Sequence, residues 1–71
     1  MYSVLDISHK GNPINLIEQR LVGNYVIHPT YSGMTVFFGD TEDRDKSQLR
    51  LIKFFGESIN ITSRQVEKID K

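Results

Sequence analysis

Leu49-Arg-Leu-Ile-Lys-Phe-Phe-Gly-Glu-Ser-Ile-Asn-Ile-Thr62 is the stretch whose reading decides the fold. Two runs rich in β-branched and aromatic side chains flank Gly56, Glu57 and Ser58, a composition suited to two strands joined by a tight turn. Thr62-Ser-Arg-Gln65 then matches a capping box, which would set Val66 and Ile69 toward the core from a single helical turn or short last strand. A hairpin, a corner and a short final element are how a small β-barrel closes. Alternation slips inside the first run: Leu49 and Leu51 share one phase, Ile52 and Phe54 the other. Either both faces are covered, or a bulge shifts the phase and lets the sheet bend. Ile59 and Ile61 alternate cleanly with Asn60 and Thr62, as a half-buried strand requires.

Working outward, residues 40–47 form the one strongly hydrophilic segment and read as a solvated loop. Residues 34–38 read as a strand stopped by Gly39. Residues 24–28 read as another, its ladder ended by Pro29. Residues 13–22 carry helix signals. Asn12 is placed to N-cap, Pro13 to occupy the first helical position, and Gly23 to follow as a stop. Ile14, Ile17 and Leu21 fall on one helical face, although Ile14, Leu16 and Glu18 also alternate as a strand would. The agreement of start and stop signals favours the helix. Residues 2–7 read as an extra N-terminal strand.

A short helix followed by about five short strands, the last preceded by a one-turn corner, resembles the Sm-like family. The residues that carry the resemblance are Ile17-Glu-Gln-Arg-Leu-Val22 as helix end, residues 24–27 as first strand, Ile59-Asn-Ile-Thr-Ser-Arg64 as fourth strand and residues 66–69 as closing strand. It covers residues 12–69. It implies a five-stranded SH3-like barrel behind an N-terminal helix, assembly into a ring, and RNA as ligand. The loop at residues 40–45 is acidic and lacks the aromatic residue usual in that family, and only Thr62-Ser63-Arg64 stands where a basic or glycine-containing motif is usual. The fold expectation is a mostly β, α+β chain: one domain over residues 1–71, an Sm-like or SH3-like five-stranded barrel with one short helix.

Composition agrees with strands. The chain has eight Ile, five Val, four Phe and three Tyr, and no Ala. Seventy-one residues bury only about 60 per cent of the unfolded chain's surface, so a partner subunit would help, and a homo-oligomer is expected. Cysteine is absent, which excludes disulfides and thiolate metal sites. There is no apolar run long enough for a membrane helix and no signal-peptide pattern at the start, so the expected location is the cytoplasm. Neither His9 nor His28 has metal-ligand spacing around it, and the 40–45 segment lacks the Gly and Glu of a calcium loop. No nucleophile elbow and no Gly-rich phosphate loop is present. The expectation is a non-enzyme without metal or cofactor.

Formal charge is zero, but residues 49–71 carry five cations against three anions. Arg50 and Lys53 sit beside Phe54 and Phe55. Arg64 and Lys68 flank the final corner, and Tyr25 and Tyr31 lie in or near the first two barrel strands. Cations interleaved with flat rings suit unpaired nucleic acid, because bases stack and phosphates pair. The competing reading makes the Phe residues core and the charges a solvated face. Tyr25, Tyr31, Arg50, Lys53, Arg64 and Lys68 are therefore the candidate binding residues of a regulatory module contacting RNA or single-stranded nucleic acid. The alternative is a protein-binding adaptor or inhibitor using a sheet edge or the acidic 40–46 loop. In size and style the chain looks like accessory proteins of phages and mobile elements.

Overall fold

β1 (Tyr2–His9) runs through the middle of the protein, paired antiparallel on one side with β3 (Gly33–Phe38) and on the other with β4 (Ile59–Val66). β2 (Tyr25–Pro29) completes an all-antiparallel, open sheet in the order β2-β3-β1-β4. The computed structural model describes residues 1–11 and 13–67. Across the sheet Leu5 lies opposite Val36 and Ser63, and Ile7 opposite Met34 and Ile61. The period of two thus sends Leu5, Ile7, Met34, Val36, Phe38 and Ile59 to one face, where they join Ile17, Leu21 and Leu51 in the core. Val4 and Phe37 are buried on the other face, with the His28 ring edge-on to Phe37 at 5.0 Å.

The core face is covered by α2 (Thr41–Phe55), where the sequence suggested a loop and then a strand. Residues 44, 47, 48, 51 and 55 share one helical face, and Ser47 and Leu51 on it are fully buried. That stripe explains the slipped phase: the apolar residues around Leu51 follow a period of 3.6, not of two. The hydrophilic residues 40–46 start this helix. Asp40 is the N-cap, its carboxylate accepting the Glu42 N–H at 2.9 Å, and Glu42 and Asp43 complement the helix dipole. Gly56, at φ +58°, ends it, and a 3₁₀ turn (Gly56–Ser58) leads into β4.

The broad expectation of a β-rich α+β chain holds, with strands where residues 2–7, 24–28, 34–38 and the run from Ile59 were read as strands, and a helix after β1. The finer architecture differs. The strands make one open sheet of four, not a closed barrel of five, because residues 49–55 are helical. Thr62–Gln65, read as a helix cap, lies inside β4, where Thr62 faces Asp6 and Gln65 faces Ser3 across the ladder. The N-terminal strand is central, not an addition. Helix α1 (Ile14–Glu18) is shorter than residues 13–22, and Pro13 is its N-cap; the capping role read for Asn12, and Ile69 of the expected last element, lie outside the described residues.

Gly33 sits where the backbones of β1 and β3 approach closely. A Cβ there would land on the Ile7 carbonyl, whereas one on Gly39 would meet open space. Gly33→Ala is expected to cost about 1–3 kcal/mol or more, by forcing β1 and β3 apart. Gly39→Ala should stay within about 0.5 kcal/mol. Urea denaturation of the two variants beside the parent chain checks this contrast.

Candidate functional site

The helical stripe of α2 decides which cations converge. With residues 47 and 51 turned inward, Arg50 and Phe54 fall on the flank that faces α1, and Lys53 stands just outside them. The chain after α1 is fastened to that same flank. The buried Ser47 hydroxyl accepts the Val22 N–H at 2.9 Å, and Arg50 donates from Nε to the Arg20 carbonyl at 3.2 Å. Gly23, at φ +81°, lets the chain pass where a Cβ would strike Asp43. Arg20 is thereby delivered to Phe54: its guanidinium carbon lies 3.2 Å from the ring centroid, in cation–π geometry. Arg20 also donates from one terminal nitrogen to the Leu16 carbonyl at 2.9 Å. Phe55 meets the Phe54 ring edge-on at 4.8 Å and itself packs on the core.

The product is a shallow cleft of about 300 Å³ lined by Arg20, Arg50, Lys53 and Phe54. The ion pairs among the described residues are Arg44–Asp45, Lys46–Glu42 and Arg64–Asp6, so none of the three cations of the cleft is neutralised by a carboxylate. Positive charge is concentrated there although the whole chain is neutral. Such a concave, cationic surface attracts anions.

The structure brings together two of the six residues read from sequence, Arg50 and Lys53. Tyr25 is half-buried on the core side of β2, its ring 6.0 Å from that of Phe38. Tyr31 is fully exposed in the turn between β2 and β3, outside the cleft lining. Arg64 lies on the opposite face of the sheet. Its Nε donates to Asp6 Oδ2 at 2.6 Å, and Thr35 donates to Asp6 Oδ1 at 3.0 Å. Lys68 lies outside the described residues. Arg20 and Phe54 were not among those six. The signal for Phe54 was the i, i+3, i+4 spacing of Arg50, Lys53 and Phe54, which acquires meaning only once residues 41–55 are read as a helix; no spacing in the sequence points to Arg20.

A second cleft of about 490 Å³ opens at the far end of β1, lined by serines, Asn60, His9 and the opposed charges Lys10 and Glu57. Both ring nitrogens of His9 are buried without a hydrogen-bond partner among the described residues. The charges there offset each other, so this larger cleft lacks the single-sign field of the smaller one.

No protein-family model matches the chain, nor does any curated protein or solved structure.

The hydrogen bond and charge of Arg64 hold the Asp6 carboxyl below its ordinary value of 3.8, against the opposing effect of partial burial, with help from Thr35. A folded-state pKa below the unfolded one gives stability that is complete above the unfolded value and drains as pH falls through the folded one. Both partners are partly exposed, so the contribution is at most about 1 kcal/mol. Asp6→Asn should therefore lower Tm slightly at neutral pH, and the gap from the parent should close near pH 2. An equal gap at both ends of the pH range would show that Arg64 does not act on Asp6 in this way.

Proposed function

We propose that this chain is a small, non-enzymatic regulatory module that contacts RNA or single-stranded nucleic acid through the cleft between α1 and α2. The observation that carries the reading is the convergence of Arg20, Arg50 and Lys53 around Phe54 with no carboxylate among the described residues paired to any of them. One face of Phe54 is taken by Arg20, so the planar surface offered outward is the guanidinium. An unpaired base stacks on a guanidinium plane as it does on a ring, while neighbouring phosphates pair with Arg50 and Lys53. A cleft of about 300 Å³ suits one nucleotide at a time. Kinship with Sm-like barrels, expected from the order of elements, is no part of that support.

The rival reading, a protein-binding adaptor or inhibitor, draws its support from the outer edge of β4, which no other strand covers among the described residues. The acidic residues 40–46, its other proposed contact, are occupied in starting α2.

Fluorescence anisotropy with a labelled, mixed-sequence single-stranded RNA tests the reading. Two cation–phosphate contacts, by Arg50 and Lys53, should give a slope of log affinity against log salt of about −1.4. Arg50→Glu/Lys53→Glu should weaken binding by more than about tenfold at low salt and flatten that slope. Lys10→Glu, in the other cleft, should change it little. No detectable binding at low salt would sink the proposal, as would equal loss from Lys10→Glu.

A further inference from the structure

The two edges of the sheet are not alike. β2 has five residues and ends at Pro29, which has no N–H to offer; a short, proline-ended strand is a guarded edge. β4 has eight residues, no proline, and Arg64 as its single charge. Beside it, on the flank of α2 away from α1, Leu49 and Ile52 are about half exposed, at 53 and 48 per cent. Ile52 lies two turns along α2 from Arg44, whose guanidinium donates to the Arg64 carbonyl of β4 at 3.2 Å. These two side chains and the half-buried Ile61 therefore form an apolar margin along β4, whose outer edge meets no other strand among the described residues.

We infer that β4 pairs antiparallel with β4 of a second copy of this chain, making one continuous eight-stranded sheet. A two-fold axis perpendicular to the sheet pairs odd-numbered residues with odd-numbered ones, so Ile59 and Ile61 of both copies stay on the helix side. Registers centred on Thr62 or on Ser63 pair seven residues of each strand and set Arg64 opposite Asn60 or Thr62, never opposite a like charge. α2 lies over β1. In the dimer the two α2 helices are three strand spacings apart, about 14 Å. Helices are about 10–12 Å across, so Leu49 and Ile52 of each copy meet above the seam, on the side that carries Ile61 of both copies.

The area suffices. Eight residues span about 27 Å. Taking the shortest molecular extent, 18 Å, as its height, the wall covers about 500 Å² on each copy. The total of about 1,000 Å² reaches the threshold of a specific interface. Net charge is zero, so no long-range repulsion opposes self-association. A chain of this length without a cysteine gains the burial that its own core lacks. The inference stands apart from the nucleic-acid reading, since the cleft lies on the other flank of α2.

Sedimentation equilibrium of the full chain tests it, with a mass twice 8.2 kDa expected at micromolar concentration. Leu49→Lys/Ile52→Lys should return the chain to a monomer with an unchanged far-UV circular dichroism spectrum. Because the chain has no cysteine, single ones report the register. Thr62→Cys or Ser63→Cys should cross-link two copies on oxidation, and Val26→Cys, on β2, should not. A monomer at about 100 µM, far above the concentration at which a specific dimer dissociates, would overturn the inference. So would a larger ring, a dimer that survives the double lysine variant, or cross-linking through Val26.

Discussion

β1 is hydrogen-bonded on both sides along nearly its whole length, and this double pairing fixes what every other element can do. A strand with no free edge must place one set of alternate residues on each face. Leu5 and Ile7 go to one face and Val4 and Asp6 to the other. The first face is apolar enough to demand a cover, and α2 provides it with Leu51 and Ser47. Once α2 lies over β1, its flanks are defined. One looks toward α1 and carries Arg50 and Phe54; the other looks toward β4 and carries Ile52. The candidate cleft and the apolar margin of the sheet are both consequences of where β1 sits.

The strands were legible because their punctuation is local. Pro29, Gly33 and Gly39 bound β2 and β3, and Ile59 with Ile61 announces β4. The helix α2 was hidden by composition. Its last two turns hold Ile52, Phe54 and Phe55, residue types common in strands, and its first two turns bury only one side chain, the serine at 47. A hydrophilic half and a β-rich half looked like a loop and a strand. Asp40 capping Glu42, with Asp43 beside it, was the local evidence for a helix start, and it was read as solvent exposure. The converse happened at Thr62–Gln65. A sequence able to cap a helix is held extended by eight residues of pairing with β1. Tertiary contact overrode local preference in both places.

The site was legible only in part, for the same reason. Arg50 and Lys53 are near in sequence, so their grouping needs no tertiary knowledge. Arg20 reaches Phe54 across thirty-four positions of chain, through a hydrogen bond between Ser47 and Val22 that no spacing announces. Tyr25 looked available because tyrosine has a polar tip, yet on β2 its ring belongs to the core side, against Phe38. Arg64 looked like a phosphate ligand, but the register places it beside Asp6.

The brevity of α1 has a thermodynamic consequence. Its five residues bury Ile17 alone, and Pro13 at its start makes no side-chain cap. An isolated turn of helix that short does not hold itself together, so its order is borrowed from the flank of α2. Arg20 belongs to the same borrowed segment. A segment with so little buried apolar surface is expected to open at a lower free energy than global unfolding, with its amides exchanging sooner than those of β1. One wall of the cleft thus rests on a segment that cannot hold its own order, and part of the binding energy of a ligand seated there goes into holding it.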